Sequence, residues 1–159
     1  YSPIFSPNSQ HLAYEAEEDS KSFVVLDGKE GKKYDWIYYL IFSPNGQHFA
    51  YVAREGKKAF VVLDGKEGNK YDRIWEPKFS PNSQHFAYVA YEGNKYFVVL
   101  DGKEGKKHDR VYSPIFSPNS QHLAYEAEEG NKIFVVLDGK EGERYDDIYK
   151  LTFNSNSQH

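Results

Sequence analysis

Five histidines recur at one fixed step of 37 residues, at His11, His48, His85, His122 and His159. Imidazoles repeated in this way could ring an axis and hold a metal ion. Each, however, opens the second of four predicted strands rather than the innermost, so neighbours stand too far apart to share an ion at ~2.1 Å. A solvated place beside a turn is the expectation for them. His108 lies off this series, where sister units carry Tyr, and reads as a surface variant. The Asp-Gly-Lys-Glu-Gly stretches at 27–31, 64–68, 101–105 and 138–142 gather carboxylates, but an intervening Lys and the lack of ligands at alternate positions leave too little charge for a calcium loop. Neither a metal nor a cofactor is expected.

Nucleophilic chemistry finds equally little. There is no Cys, most serines sit in Ser-Pro-Asn turns, and no Gly-x-Ser-x-Gly elbow occurs. The pairs Glu17-Glu18 and Glu128-Glu129 are sequence neighbours, whereas glycoside chemistry needs two carboxyls held apart across a cleft. The chain is expected not to be an enzyme.

The elements that would position any site come from an internal repeat. Phe23-Val24-Val25-Leu26-Asp27-Gly28-Lys29-Glu30-Gly31 returns letter for letter from Phe60, Phe97 and Phe134. Such a period must be read before any fold is assigned. The units are 1–37, 38–74, 75–111 and 112–148, with a partial fifth at 149–159, together one domain over 1–159. Each begins with a short apolar piece ending in Phe, such as Leu40-Ile41-Phe42. Ser-Pro-Asn-Ser or Ser-Pro-Asn-Gly then makes a turn, because Pro presets its first central residue and Asn tolerates the second. A second strand follows with period-two patterning, as in Phe49-Ala50-Tyr51-Val52-Ala53. After a polar loop, the β-branched Phe-Val-Val-Leu run predicts a third strand covered on both faces. Asp-Gly-Lys-Glu-Gly predicts a turn with both glycines at positive φ. A polar fourth strand is placed at Lys33-Tyr34-Asp35 and its counterparts, where charge discourages edge pairing. No segment keeps helical spacing, so the chain is all-β.

Composition agrees. Only 39% of residues are hydrophobic, but 14 Tyr and 11 Phe bury much area each and can still build a core. The net charge of −4 is interspersed rather than striped, which argues against nucleic acid as a partner. No apolar run approaches the length of a helical membrane span, so no membrane is expected. The absence of Cys excludes disulfides but leaves the compartment open. Tyr1-Ser2-Pro3 shows no signal peptide, and the lack of any Met is read as a chain that begins inside a longer one.

Four short antiparallel strands per repeat is the pattern of a β-propeller blade. Ser43-Pro44-Asn45-Gly46-Gln47-His48-Phe49-Ala50-Tyr51, followed by Phe60-Val61-Val62-Leu63-Asp64-Gly65, resembles the WD40-like repeat of TolB-type propellers. The resemblance covers all four units and implies about four four-stranded blades. Asn stands for the family's Asp at Asn8, Asn45, Asn82 and Asn119, and Ser for Gly at Ser9, Ser83 and Ser120, changes that keep the turn chemistry. The family also occurs joined to serine peptidase domains, and none is visible here. Residues 1–18 and 112–129 are the same string, which indicates recent amplification of one blade or deliberate construction.

Identical residues fix the blade, so individual function belongs where units differ. The loop between second and third strands and the link between blades both vary. Strand alternation brings both to one face, gathering Trp36, Tyr39, Arg54, Trp75, Tyr91, Arg110 and Tyr112. These residue types are enriched in binding hot spots. The plainer reading packs Trp36 and Trp75 between blades. The leading function is a non-enzymatic scaffold, natural or engineered, that binds another protein on this face. A carbohydrate- or small-ligand-binding propeller, or a fragment of a larger hydrolase, are the alternatives. Four units fall short of most rings, which predicts a homodimer closing eight blades.

Overall fold

The computed structural model describes residues 2–154. His159 therefore lies outside the described residues. The chain forms four separate four-stranded antiparallel sheets, each a meander of consecutive strands. The first contains β1 (Ile4–Phe5), β2 (Leu12–Glu18), β3 (Lys21–Leu26) and β4 (Lys29–Glu30). The second contains β5 (Trp36–Phe42), β6 (Phe49–Glu55), β7 (Lys58–Leu63) and β8 (Lys66–Glu67). The third is β9 (Arg73–Phe79), β10 (Phe86–Glu92), β11 (Lys95–Leu100) and β12 (Lys103–Glu104). The fourth is β13 (Arg110–Phe116), β14 (Leu123–Glu129), β15 (Lys132–Leu137) and β16 (Lys140–Tyr145). No helix occurs among the described residues.

Turn chemistry sets the hairpins. In the first sheet the Ser9 N–H donates to the Ser6 carbonyl at 2.8 Å, and Ser9 takes φ +58°, the place Gly46 holds at +72° in the second. The β3–β4 hairpin is tighter than the sequence predicts. Leu26 pairs with Lys29 across only Asp27 and Gly28, at φ +50° and +77°, a two-residue turn whose twist matches the strands. The second glycine of the motif needs no positive φ. Gly31 instead lets the chain approach β3, since a Cβ there would lie 3.2 Å from the Val24 carbonyl oxygen.

Two strand assignments are corrected. The residues read as a link, Trp36 to Tyr39, belong to a continuous seven-residue first strand. Its pattern was hidden by a bulge: Tyr38 pairs with Val52 and Ile41 with Ala50, so Tyr39 and Leu40 face Tyr51 alone. Tyr39, Glu76 and Ser113 occupy the bulge at positive φ. The fourth strand begins at Lys29, and Tyr34, beyond its end, pairs with β3 through an isolated bridge to Ser22. In the fourth sheet the whole stretch Lys140–Tyr145 is one strand.

The core lies between neighbouring sheets. Phe60, Phe97 and Phe134 of the third strands are wholly buried. Five consecutive residues of β6, Phe49 to Ala53, are buried because other sheets cover both its faces. The same stretch of β2 leaves Tyr14 exposed.

Candidate functional site

The repeat places one set of polar residues at every seam between sheets. Asp35 accepts a hydrogen bond from Lys21 of its own sheet at 2.5 Å and from the Gly56 N–H of the next at 2.6 Å. Asp109 repeats this with Lys95 at 2.6 Å and Gly130 at 2.8 Å. Each such carboxyl is held below the usual range, first by its lysine. The Tyr34 hydroxyl donates to Glu67 at 3.0 Å and that of Tyr71 to Glu104 at 2.9 Å, again across seams. Burial pushes both phenols upward. Each described repeat histidine shares a 2.7 Å hydrogen bond with the following turn's aspartate, as in His11 with Asp27. His11 also stacks on Phe42 of the next sheet, with ring centroids 6.4 Å apart. These histidines are thus turn-flanking and half-exposed, with a defined partner.

The serines of the Ser-Pro-Asn turns are also occupied. Ser43 Oγ donates to Asn45 at 2.6 Å and accepts the His48 N–H at 2.9 Å, and Ser6, Ser80 and Ser117 do the same.

Against this frame the seven sequence-predicted residues separate. Trp36 pairs in register with Arg54, and Trp36 is 68% exposed. Trp75 is packed against Tyr96 and Tyr91, at 5.6 Å and 6.4 Å between ring centroids, and joins the core between third and fourth sheets. Arg110 donates to the Tyr112 hydroxyl at 3.4 Å, which in turn donates to Glu128 at 2.8 Å. Tyr39 stands apart from these at the bulge, beside Tyr38. Trp36 and Arg54 are adjacent, Trp75 and Tyr91 touch, and Arg110 and Tyr112 touch; the seven do not form one contiguous cluster of contacts.

No protein-family model and no curated protein matches the chain. Solved structures do match. TolB from Acinetobacter baumannii is 19% identical, with a TM-score of 0.51 over 91% of this chain and 44% of that one. The β-propeller domain of the Trilobed protease from Pyrococcus furiosus, described as having an open velcro topology, is 14% identical, with a TM-score of 0.59 over 91% and 56%. A eukaryotic initiation factor gives 13%, 0.60, 91% and 42%. The fold is a β-propeller. The chain spans about half the length of these structures.

The four sheets are its blades, and the outermost two differ from those inside. Tyr34 and Tyr71 are 2% exposed, whereas their counterpart Tyr145 is 53% exposed. Tyr51 and Tyr88 are 7% and 4% exposed, against 36% for Tyr14. Asp146 keeps its lysine, Lys132 at 2.6 Å, but its side chain is 88% exposed. Phe153 of the partial fifth unit stacks on His122 at 6.5 Å, as Phe42 does on His11. Sequence reading missed these residues because the repeat makes interior and terminal copies look alike.

Sequence reading also missed His108. It is not a surface variant: it is 0% exposed, set in the seam between third and fourth blades. The polar neighbours Lys107 and Asp109 concealed it, since only the middle residue of the three points inward. The same seam holds a cleft of about 340 Å³, where Leu123 replaces the Phe49 and Phe86 of sister blades. The matching cleft beside Phe49 is about 150 Å³.

Proposed function

We propose that the chain is a non-enzymatic propeller scaffold whose two open ends bind each other, so that two chains close one eight-bladed ring. The strand-end face then offers Trp36 and Arg54 to a further protein. The observation that carries the self-assembly is the contrast in exposure between Tyr145 and its buried counterparts Tyr34 and Tyr71. One repeat step defines what Tyr145 lacks. Its hydroxyl would donate to the partner's Glu30, as Tyr34 donates to Glu67. Its ring would meet the partner's Tyr14 edge-on, as Tyr34 meets Tyr51. Asp146 would accept the backbone N–H of the partner's Asp19, as Asp35 accepts that of Gly56.

Two such seams around a two-fold axis close a ring and avoid an open fibre. The inner strand of the first blade, β1, has only two residues, against seven in the other blades. In the register of β5, Asp147, Ile148 and Tyr149 of one chain lie opposite Glu17, Ala16 and Glu15 of the partner's β2. Tyr149, 94% exposed, gains cover there. Thr152-Phe153 and the partner's Ile4-Phe5 compete for one place, and Phe5, already 68% exposed, is displaced. The absence of catalysis is supported by the Ser-Pro-Asn hydroxyls, which are committed to turn hydrogen bonds. Tyr145→Asp tests the assembly, because its exposed side chain can change without disturbing the monomer. Sedimentation velocity is expected to show the variant as a monomer with an unchanged strand spectrum. A variant that still sediments as the parent dimer would mean the ends do not meet through Tyr145.

A further inference from the structure

The seam between third and fourth blades departs from its sisters at one buried position. The His108 imidazole takes the place of a phenol with little change in ring geometry. It lies 5.5 Å from Phe134 at 72° and 6.3 Å from Tyr125 at 61°, where Tyr34 lies 5.5 Å from Phe60 at 70° and 6.3 Å from Tyr51 at 62°. The phenols use their far end to hydrogen-bond the next blade's glutamate. An imidazole is shorter. Its far nitrogen, Nε2, is buried without a hydrogen-bond partner, while Nδ1 lies 3.2 Å from Glu129. A buried polar atom left in this state has given up its hydration with nothing in return.

The same substitution brings His108, Glu129 and Glu141 together, with one donor atom from each inside 4.8 Å of the others. Among the described residues no other group of three such donors occurs. A tetrahedral ion at ~2.1 Å from its ligands sets them about 3.4 Å apart, so modest rotation of the two glutamates closes the set. One imidazole and two carboxylates suit a first-row divalent ion and not Ca²⁺ or Mg²⁺, which take oxygen alone. We infer that His108, Glu129 and Glu141 bind a divalent transition-metal ion of the Zn²⁺ class and thereby clip the third blade to the fourth. This runs against the sequence expectation of no metal.

Two cations share these carboxylates. Lys106 lies 2.5 Å from Glu141 and 4.0 Å from Glu129, and Arg144 lies 3.2 Å from each. Arg144 is held over the Phe134 ring at 4.2 Å, whereas the Lys106 side chain is 61% exposed and can swing into water. Lys106 is therefore the competitor that an ion displaces. The neighbouring seam carries Asn69 at that position.

Isothermal titration of ZnCl₂ into the tag-free, chelator-stripped chain at neutral pH tests this, with the melting temperature followed alongside. The parent is expected to bind one Zn²⁺ per chain and to melt higher with it. His108→Tyr restores the sister residue and should fold normally, yet lose at least tenfold in affinity. Lys106→Asn should bind several-fold more tightly. No stoichiometric binding by the parent would overturn the site. Binding undiminished in His108→Tyr would also overturn it, placing the ion on the surface His–Asp pairs instead.

Discussion

At the scale of single residues, stability rests on third-strand side chains and on carboxylates at the seams. Val62 is 1% exposed and packs with Phe60 and Tyr51 between first and second blades. Val62→Asp would bury an unpaired charge, and its expected cost is on the order of 3 kcal/mol or more in chemical denaturation. A variant that melts with the parent would remove the third strand from the core. The carboxylates give a pH dependence. Asp35, Asp72, Asp109 and Asp146 are all lowered, first by hydrogen bonds from Lys21, Lys58, Lys95 and Lys132. A carboxyl with a lowered folded value adds stability above its unfolded value, ~3.9, and loses it as pH falls through the folded value. The melting temperature is therefore expected to be level above about pH 5 and to fall below about pH 4. Screening at these exposed sites keeps each contribution small. A profile that stayed level to pH 2 would show that the seam carboxylates contribute nothing.

At the scale of strands and seams, sister blades supply their own controls. Leu123 stands beside Phe116 where Phe49 stands beside Phe42 and Phe86 beside Phe79, both at 4.8 Å. Leu123→Phe should fill part of the 340 Å³ cleft and stabilise by about 1 kcal/mol, raising the melting temperature. A lower melting temperature would mean that the cleft is maintained by the surrounding backbone. Much at this scale was legible in the sequence. Period-two patterning marked the second strands, the β-branched run marked the third, and Ser-Pro-Asn marked the first turn. What escaped had physical reasons. The bulge at Tyr39 and Leu40 shifts the alternation of β5 by one residue, which makes its first half read as a link. The Tyr34–Glu67 bond joins residues 33 apart in different blades, beyond any local pattern. The candidate binding residues were chosen by residue type and by where the units differ, and neither criterion reports burial, so Trp75, engaged with Tyr96, could not be told from the exposed Trp36.

At the scale of the molecule, the oligomeric state turns on what covers the two end faces. Tyr145, Asp146 and Tyr149 at one end and Phe5 and Tyr14 at the other are exposed where interior copies of the repeat are satisfied by a neighbour. These are the side chains the proposed ring closure would cover, as contiguous apolar surface is covered at interfaces. The proposed inner-strand exchange adds a second dependence: removing residues 148–159 should weaken the dimer by withdrawing Ile148 and Tyr149 from the partner's first blade. If this shortened chain associates as strongly as the parent in sedimentation equilibrium, the exchange does not occur. The most direct measurement is the mass of the 159-residue chain in solution, by light scattering after size exclusion at micromolar concentration. Ring closure predicts one species near twice the 18.4 kDa of a single chain. A species at 18.4 kDa that persists as concentration rises would contradict it.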